Sequence, residues 1–190
     1  TIICLIVSWD LFRKMKKRVT ILGSTGSVGA STLSLIRQHP EQFSVFGLTA
    51  NCNVHLLIKL ALEFQPTYVA LADSDKAGIL KEGLANTDIQ ILTGSDGIAF
   101  LAEQKVDLIV AAITGFAGLR SVFAAISAGQ TIAIANKEAL VAGGHLVMPS
   151  LIKHNATLLP IDSEHNAIFQ CMQGQNWNDV DNITLTASGG

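Results

Sequence analysis

The run Val19-Thr20-Ile21-Leu22-Gly23-Ser24-Thr25-Gly26-Ser27-Val28-Gly29 decides the fold. A short apolar, β-forming stretch leads into regularly spaced glycines, and an amphipathic stretch from about Ser27 to His39 follows, stopped by Pro40. A strand that turns through glycines into a helix has what a dinucleotide pyrophosphate requires. It offers a tight turn, a backbone without Cβ at the closest approach, and a helix N-terminus aimed at the phosphates. Gly23, Gly26 and Gly29 can supply turn, approach and close helix–strand packing, while Thr25 and Ser27 add hydroxyl donors. The spacing is GxxGxxG rather than GxGxxG, and a glycine-rich βα turn that binds nothing would carry the same letters.

Outward from this run, strand-like segments recur at Phe43–Thr49, Tyr68–Leu71, Ile89–Leu92, Val106–Ala111, Thr131–Ala135, Thr157–Ile161 and Ile183–Ala187. Helical patterns lie between them: Val54–Phe64, ended by Pro66; a segment capped by Asp73 or Ser74 and running to about Gly83; and one entered at Ser95 or Asp96. Leu119–Ala128, closed by Gly129, a helix from near Lys137, and Glu164–Met172 complete the set, with Met148–His154 poorly signposted. This alternation predicts an α/β fold with a doubly wound, mostly parallel, Rossmann-like sheet built from right-handed βαβ units. It loosens near Ala156, which sets a soft boundary between a nucleotide-binding unit, 15–155, and the beginning of a second α/β unit, 156–190. Residues 1–14, ahead of Met15, read as an upstream extension, and the end on Ser188-Gly189-Gly190 reads as a truncation inside a turn.

Composition agrees with this class. Of 190 residues, 49% are hydrophobic and 15% charged, which fits a sheet buried on both faces and argues against disorder. A net charge of -2 gives no basis for nucleic acid or an anionic membrane as partner. Cys4, Cys52 and Cys171 share no metal-ligand spacing and read as reduced thiols of a cytoplasmic protein. The apolar Thr1–Val7 is too short to span a bilayer, and its basic cluster follows it, the reverse of a signal peptide.

Chemistry concentrates at the ends of strands. The stretch Leu48-Thr49-Ala50-Asn51-Cys52-Asn53 carries no acid to hydrogen-bond a ribose 2′-hydroxyl, which favours NADP over NAD by absence of repulsion. Asp162 and Glu164, two apart just beyond a strand, can converge on a hard divalent cation such as Mg²⁺ or Mn²⁺. The same letters also make a helix start, with Asp162 or Ser163 as cap and Glu164 complementing the dipole. Lys137 follows a strand at a helix N-terminus, against the dipole's preference, so it is either functional or a solvated first-turn lysine. His165 reads as a helix residue with a local hydrogen bond, and His39, His55, His145 and His154 as surface or helix-end residues.

Three later segments add specificity: Ala135-Asn136-Lys137-Glu138-Ala139-Leu140-Val141, then Leu159-Pro160-Ile161-Asp162-Ser163-Glu164-His165-Asn166-Ala167-Ile168-Phe169-Gln170, then Leu185-Thr186-Ala187-Ser188-Gly189-Gly190. With the Gly23–Gly29 loop, and in this order, they closely resemble the 1-deoxy-D-xylulose 5-phosphate reductoisomerase family, from about Lys16 to Gly190. The resemblance implies an NADPH- and divalent-metal-dependent isomerisation and reduction of that sugar phosphate to 2-C-methyl-D-erythritol 4-phosphate, in non-mevalonate isoprenoid synthesis. It implies that Thr25, Gly26, Ser27 and Val28 contact the NADPH phosphates. Asn51, Cys52 and Asn53 would take the 2′-phosphate end, with Cys52 where the family often has a basic residue. Asn136 and Glu138 would lie along the cofactor. Lys137, Ser163, Glu164 and Ser188 would form the substrate-binding catalytic set, with Asp162 and Glu164 as ligands of Mg²⁺ or Mn²⁺. It further implies a third carboxylate downstream and a homodimer at full length. Two other readings stay open: a metal-independent NADP dehydrogenase of another type, and a non-catalytic nucleotide-binding module.

Overall fold

A computed structural model describes residues 16–135 and 137–185. Its strands are β1 (Lys17–Leu22), β2 (Phe43–Ala50), β3 (Tyr68–Leu71), β4 (Gln90–Thr93), β5 (Leu108–Ala111), β6 (Thr131–Ile134) and β7 (Thr157–Pro160). They form one sheet in the order β4-β3-β2-β1-β5-β6-β7, with every neighbouring pair parallel. The helices are α1 (Ser27–Gln38), α2 (Val54–Phe64), α3 (Ala77–Gly83), α4 (Gly94–Glu103), α5 (Leu119–Ser127), α6 (Lys137–His154) and α7 (Ser163–Met172).

Strand side chains alternate between faces, so a sheet covered on both sides must be apolar at nearly every position. Val19 and Ile21 of β1, Val69 and Leu71 of β3, and Val110 of β5 pack with Leu33, Leu57 and Leu80 of α1, α2 and α3. Leu22, Ala70, Ile109 and Ala111 from the same strands face the other way, onto Leu101, Ile126 and Val147 of α4, α5 and α6. The chain winds outward from β1 to β4, then returns to the other side of β1 with β5. That reversal leaves a crevice at the carboxyl ends of β1 and β5, where open α/β sheets bind ligands.

Breakers act where expected: α2 ends at a left-handed Gln65 (φ 47°) before Pro66, and Gly129 (φ 66°) turns the chain after α5. Several boundaries differ from the sequence expectation. The poorly signposted Met148–His154 is the last part of α6, an unbroken 18-residue helix that contains Pro149. Burial of Val147 and Leu151 against the sheet holds it together across the proline. Neither Ser95 nor Asp96 caps α4, which starts at Gly94; both engage Arg120 from the first turn. A 3₁₀ turn, Ser74–Lys76, precedes α3, with Asp73 Oδ1 accepting from the Asp75 N–H.

Ile183–Leu185 do not form the expected strand. Ile183 and Leu185 are half exposed and, among the described residues, pair with no strand, while Thr186 and Ala187 lie outside the described residues. The expected boundary near Ala156 falls between α6 and β7, and β7 continues the same sheet. Among the described residues no helix is long and apolar enough to cross a membrane.

Candidate nucleotide and metal site

The glycine loop is stitched to the end of β2 by one residue. Thr49, fully buried, accepts the Gly23 N–H on Oγ1 (2.8 Å), and its carbonyl accepts both the Ser24 N–H and the Ser24 hydroxyl (2.8 Å each). Gly23 has φ +90°, and a Cβ there would stand 2.7 Å from the Ala112 carbonyl oxygen. A Cβ on Gly29 would lie 2.5 Å from the Gly23 carbonyl oxygen and 2.6 Å from Ser24 Cα. Both glycines are therefore demanded by packing within the protein. Gly26 is different: its φ of -87° and ψ of 175° suit any residue, and a Cβ would meet only the Gly23 carbonyl oxygen at 3.5 Å. Among the described residues nothing explains why position 26 is glycine.

Gly26 is also the N-cap of α1, with no side-chain cap bond and no acid in the first turn. The leading N–H groups of α1 thus look outward unneutralised, as an anion site needs. They open on a cleft of about 330 Å³ lined by Gly23, Thr25, Gly26, Asn51, Ala112 and Arg120, among others. Thr25 lines it, Ser27 is the first residue of α1, and Val28 packs against the core.

At the end of β2, the Asn53 side chain accepts the Leu56 N–H (3.2 Å) and caps α2. Cys52 is exposed, and its carbonyl accepts from the Lys76 ammonium (3.0 Å). The stretch Leu48–Asn53 carries no acid of its own, but the end of β3 sets one beside it. Asp73, at the end of β3, donates its N–H to the Asn51 carbonyl (3.0 Å), and its carboxylate pairs with Lys76 (3.3 Å). An acid is present there, brought by the neighbouring strand and neutralised by a lysine.

Lys137 and Glu138 open α6 just past β6, both exposed. Past β7, Asp162 caps α7: Oδ1 accepts the His165 N–H (3.0 Å) and contacts the His165 ring at Nδ1 (2.8 Å). Burial raises the Asp162 pKa, but the two hydrogen bonds from His165 and its charge outweigh this and hold it below the ordinary value. The helix-cap reading of Asp162 and the local-bond reading of His165 are both realised, and neither uses the second Asp162 oxygen. Glu164 is held low by its own backbone N–H, the Ser163 hydroxyl (2.9 Å) and the charge of Lys137. Asp162 pushes it the other way, so the two carboxylates sense one another. Their oxygens suit a hard cation that keeps several waters. Among the described residues, no cluster of three or more His, Cys, Asp or Glu is placed to hold a metal. Asn136 and Ser188 lie outside the described residues.

The Gly23 loop, Lys137 and Asp162 thus stand at the carboxyl ends of β1, β6 and β7, along one edge of the sheet. Three strand spacings of ~4.8 Å separate β1 from β7. Thr49, Arg120 and Lys76 were not legible as site residues. Arg120, whose guanidinium donates to the Ser95 hydroxyl (2.7 Å) and pairs with Asp96, reaches the cleft from a helix that reads in sequence as merely small and apolar.

Comparison with known proteins gives the following. The model of the 1-deoxy-D-xylulose 5-phosphate reductoisomerase family matches residues 19–144, and that of the family's C-terminal domain matches 158–190. The reductoisomerase of Thermoanaerobacter pseudethanolicus is 49% identical over 174 residues, covering 92% of this chain and 45% of the relative. That of Crocosphaera subtropica is 48% identical over 177 residues, covering 92% of this chain and 44% of the relative. The chain spans a little under half the length of the curated relatives it matches. The solved Zymomonas mobilis reductoisomerase in complex with NADPH superposes with a TM-score of 0.80 and 44% identity, over 83% of this chain and 41% of that one. A DOX-P reductoisomerase in complex with NADPH, fosmidomycin and magnesium gives 0.79 and 47%, over 82% and 38%.

Proposed function

This chain belongs to the 1-deoxy-D-xylulose 5-phosphate reductoisomerase family, and we propose that it supplies the NADPH-binding half and part of the metal and substrate site of such an enzyme. The reaction would be the isomerisation and reduction of 1-deoxy-D-xylulose 5-phosphate to 2-C-methyl-D-erythritol 4-phosphate. One observation carries the cofactor part: Gly26 heads α1 facing a cleft, and no atom among the described residues requires it to be glycine. When bound, NADPH supplies the hydride, and Mg²⁺ or Mn²⁺ polarises the substrate's carbonyl and hydroxyl oxygens. The first-turn N–H groups of α1, with the Thr25 and Ser27 hydroxyls, receive the pyrophosphate. Val28 seats that turn on the core, and Asn51, Cys52 and Asn53 receive the adenosine end. Asn136 and Glu138 border the cofactor further along the edge. Lys137, Ser163 and Ser188 orient the sugar phosphate by charge and hydrogen bonds. Asp162 and Glu164 hold the cation, and His165 fixes the Asp162 carboxylate by taking one oxygen, as supporting partners of metal ligands do.

The division near Ala156 belongs to this proposal as a division of labour, cofactor before it and cation after it. A homodimer at full length and a cytoplasmic location are part of the same reading. Titration of the 190-residue chain with NADPH and NADH tests it. Saturable NADPH binding, tighter than NADH, is expected; failure to bind either nucleotide removes the reading. Metal-independent turnover would instead favour a dehydrogenase of another type.

A further inference from the structure

Asn51 and Ala72 line the cleft, and the residues that follow them, Cys52 and Asp73, share a partner. There the Lys76 ammonium is fixed between the Cys52 carbonyl (3.0 Å) and the Asp73 carboxylate (3.3 Å). Lys76 comes from the 3₁₀ turn after β3, in sequence far from the loop it touches. The Asp73 backbone is tied to Asn51 as well, so lysine, aspartate and the β2 end form one connected patch. At the end of the second strand a free acid selects NAD through the ribose 2′-hydroxyl, and a cation selects NADP through the 2′-phosphate. This chain places both there, already paired.

We propose that Lys76 is the residue that sets NADPH over NADH in this chain. It rests on the cofactor reading above and goes beyond it by naming the discriminating side chain. Lys76 neutralises Asp73, which would otherwise repel a 2′-phosphate and serve a ribose 2′-hydroxyl. Its ammonium, directed at the Cys52 carbonyl, provides the positive charge that Cys52 itself cannot. A lysine is suited to the task because it binds phosphate as a point charge and can keep a carbonyl and a carboxylate as further acceptors on its three N–H groups. The side chain is 40% exposed, so a phosphate can reach it without rearrangement of the fold.

The test is titration of the chain and its variants with NADPH and with NADH, at low and at raised salt. Lys76→Ala should weaken NADPH on the order of tenfold and leave NADH unchanged or tighter, because Asp73 is released. Lys76→Arg should keep most of the preference, and Lys76→Ala with Asp73→Asn should recover part of the lost NADPH affinity. The wild-type preference should shrink as salt rises, and it should shrink far less in Lys76→Ala. An unchanged NADPH-to-NADH ratio in Lys76→Ala, with wild-type affinity for NADPH, overturns the assignment and leaves the cofactor reading standing. Binding of neither nucleotide by the wild-type chain overturns both. Loss of both nucleotides together in Lys76→Ala also counts against it, since that marks a structural role.

Discussion

Gly26 offers the sharpest separation between a structural and a ligand-binding glycine. Replacing it by valine puts a side chain where only the Gly23 carbonyl oxygen lies nearby, at 3.5 Å, on a backbone of φ -87° and ψ 175° that valine accepts readily. As an N-cap that makes no side-chain bond, it loses no hydrogen bond on substitution. The folding free energy should therefore change by less than about 1 kcal/mol, within the range for compatible glycine replacements. Gly23→Ala is the contrast. Its φ of +90° and a Cβ 2.7 Å from a backbone oxygen combine strain with overpacking, together about 2–5 kcal/mol. At roughly 2–4 °C per kcal/mol for a chain of this size, Gly23→Ala should melt at least several degrees lower, and Gly26→Val should not. The order reverses for the ligand. A valine side chain at the head of α1 would hold a pyrophosphate off the first-turn N–H groups, forfeiting two charge-assisted bonds of about 1.5–3 kcal/mol each. That is a loss of roughly 100-fold or more in NADPH affinity. Thermal melts and NADPH titrations of both variants make the comparison. Wild-type NADPH affinity in Gly26→Val, with its fold intact, would refute the assignment of this loop as the phosphate site.

Three further outcomes are expected. Thr49→Val removes the acceptor of the Gly23 N–H and leaves that donor unpaired, so stability should fall by about 1–3 kcal/mol; a melt unchanged from wild type would show that the stitch between β1 and β2 is unimportant. Asp162, whose pKa is lowered on folding, contributes stability that is present above its unfolded pKa and is lost as pH falls through its lower folded value. Its carboxyl ¹³C resonance should titrate below the ordinary aspartate range, and Asp162→Asn, which keeps an N-cap, should flatten the acid limb of the stability profile; titration at or above the ordinary range contradicts the geometry. Lastly, the 190-residue chain with NADPH, Mg²⁺ and 1-deoxy-D-xylulose 5-phosphate should show no turnover near the ~10 s⁻¹ typical of enzymes, because among the described residues no third His, Cys, Asp or Glu joins Asp162 and Glu164 to hold a metal; NADPH oxidation at that rate would contradict this.

The sequence was most legible where one local pattern sets the outcome. Val19–Gly29 reads directly as strand, turn and helix because the glycines and the apolar run are contiguous, and the parallel sheet follows from the repetition of that unit. Legibility fell where tertiary contacts decide. Met148–His154 contains a helix-breaking proline, yet burial of Val147 and Leu151 keeps it helical. Ile183–Leu185 has the composition of a strand but, among the described residues, pairs with no strand. In the candidate site the same distinction holds. The loop, Lys137 and the Asp162–Glu164 pair are visible as local motifs at strand ends. Arg120 reaches the crevice from α5, and Asp73 and Lys76 meet the end of β2 from beyond β3, so nothing in their own neighbourhood of sequence marks them. The alternatives of helix cap and metal ligand for Asp162 proved compatible, since the cap and the His165 ring both engage one oxygen.

In the proposed arrangement one carboxyl edge of the sheet holds the nucleotide at β1 and β2 and the cation at β7. Amide chemical-shift mapping on the ¹⁵N-labelled chain tests it most directly, with NADPH added first and Mn²⁺ second. NADPH-dependent shifts are expected at Thr25–Gly29 and Asn51–Asn53, followed by paramagnetic broadening centred on Asp162–His165 and reaching Lys137, with the broadening lost in Asp162→Asn with Glu164→Gln. NADPH shifts confined to the opposite edge of the sheet, or Mn²⁺ broadening that persists unchanged in that double variant, would contradict it.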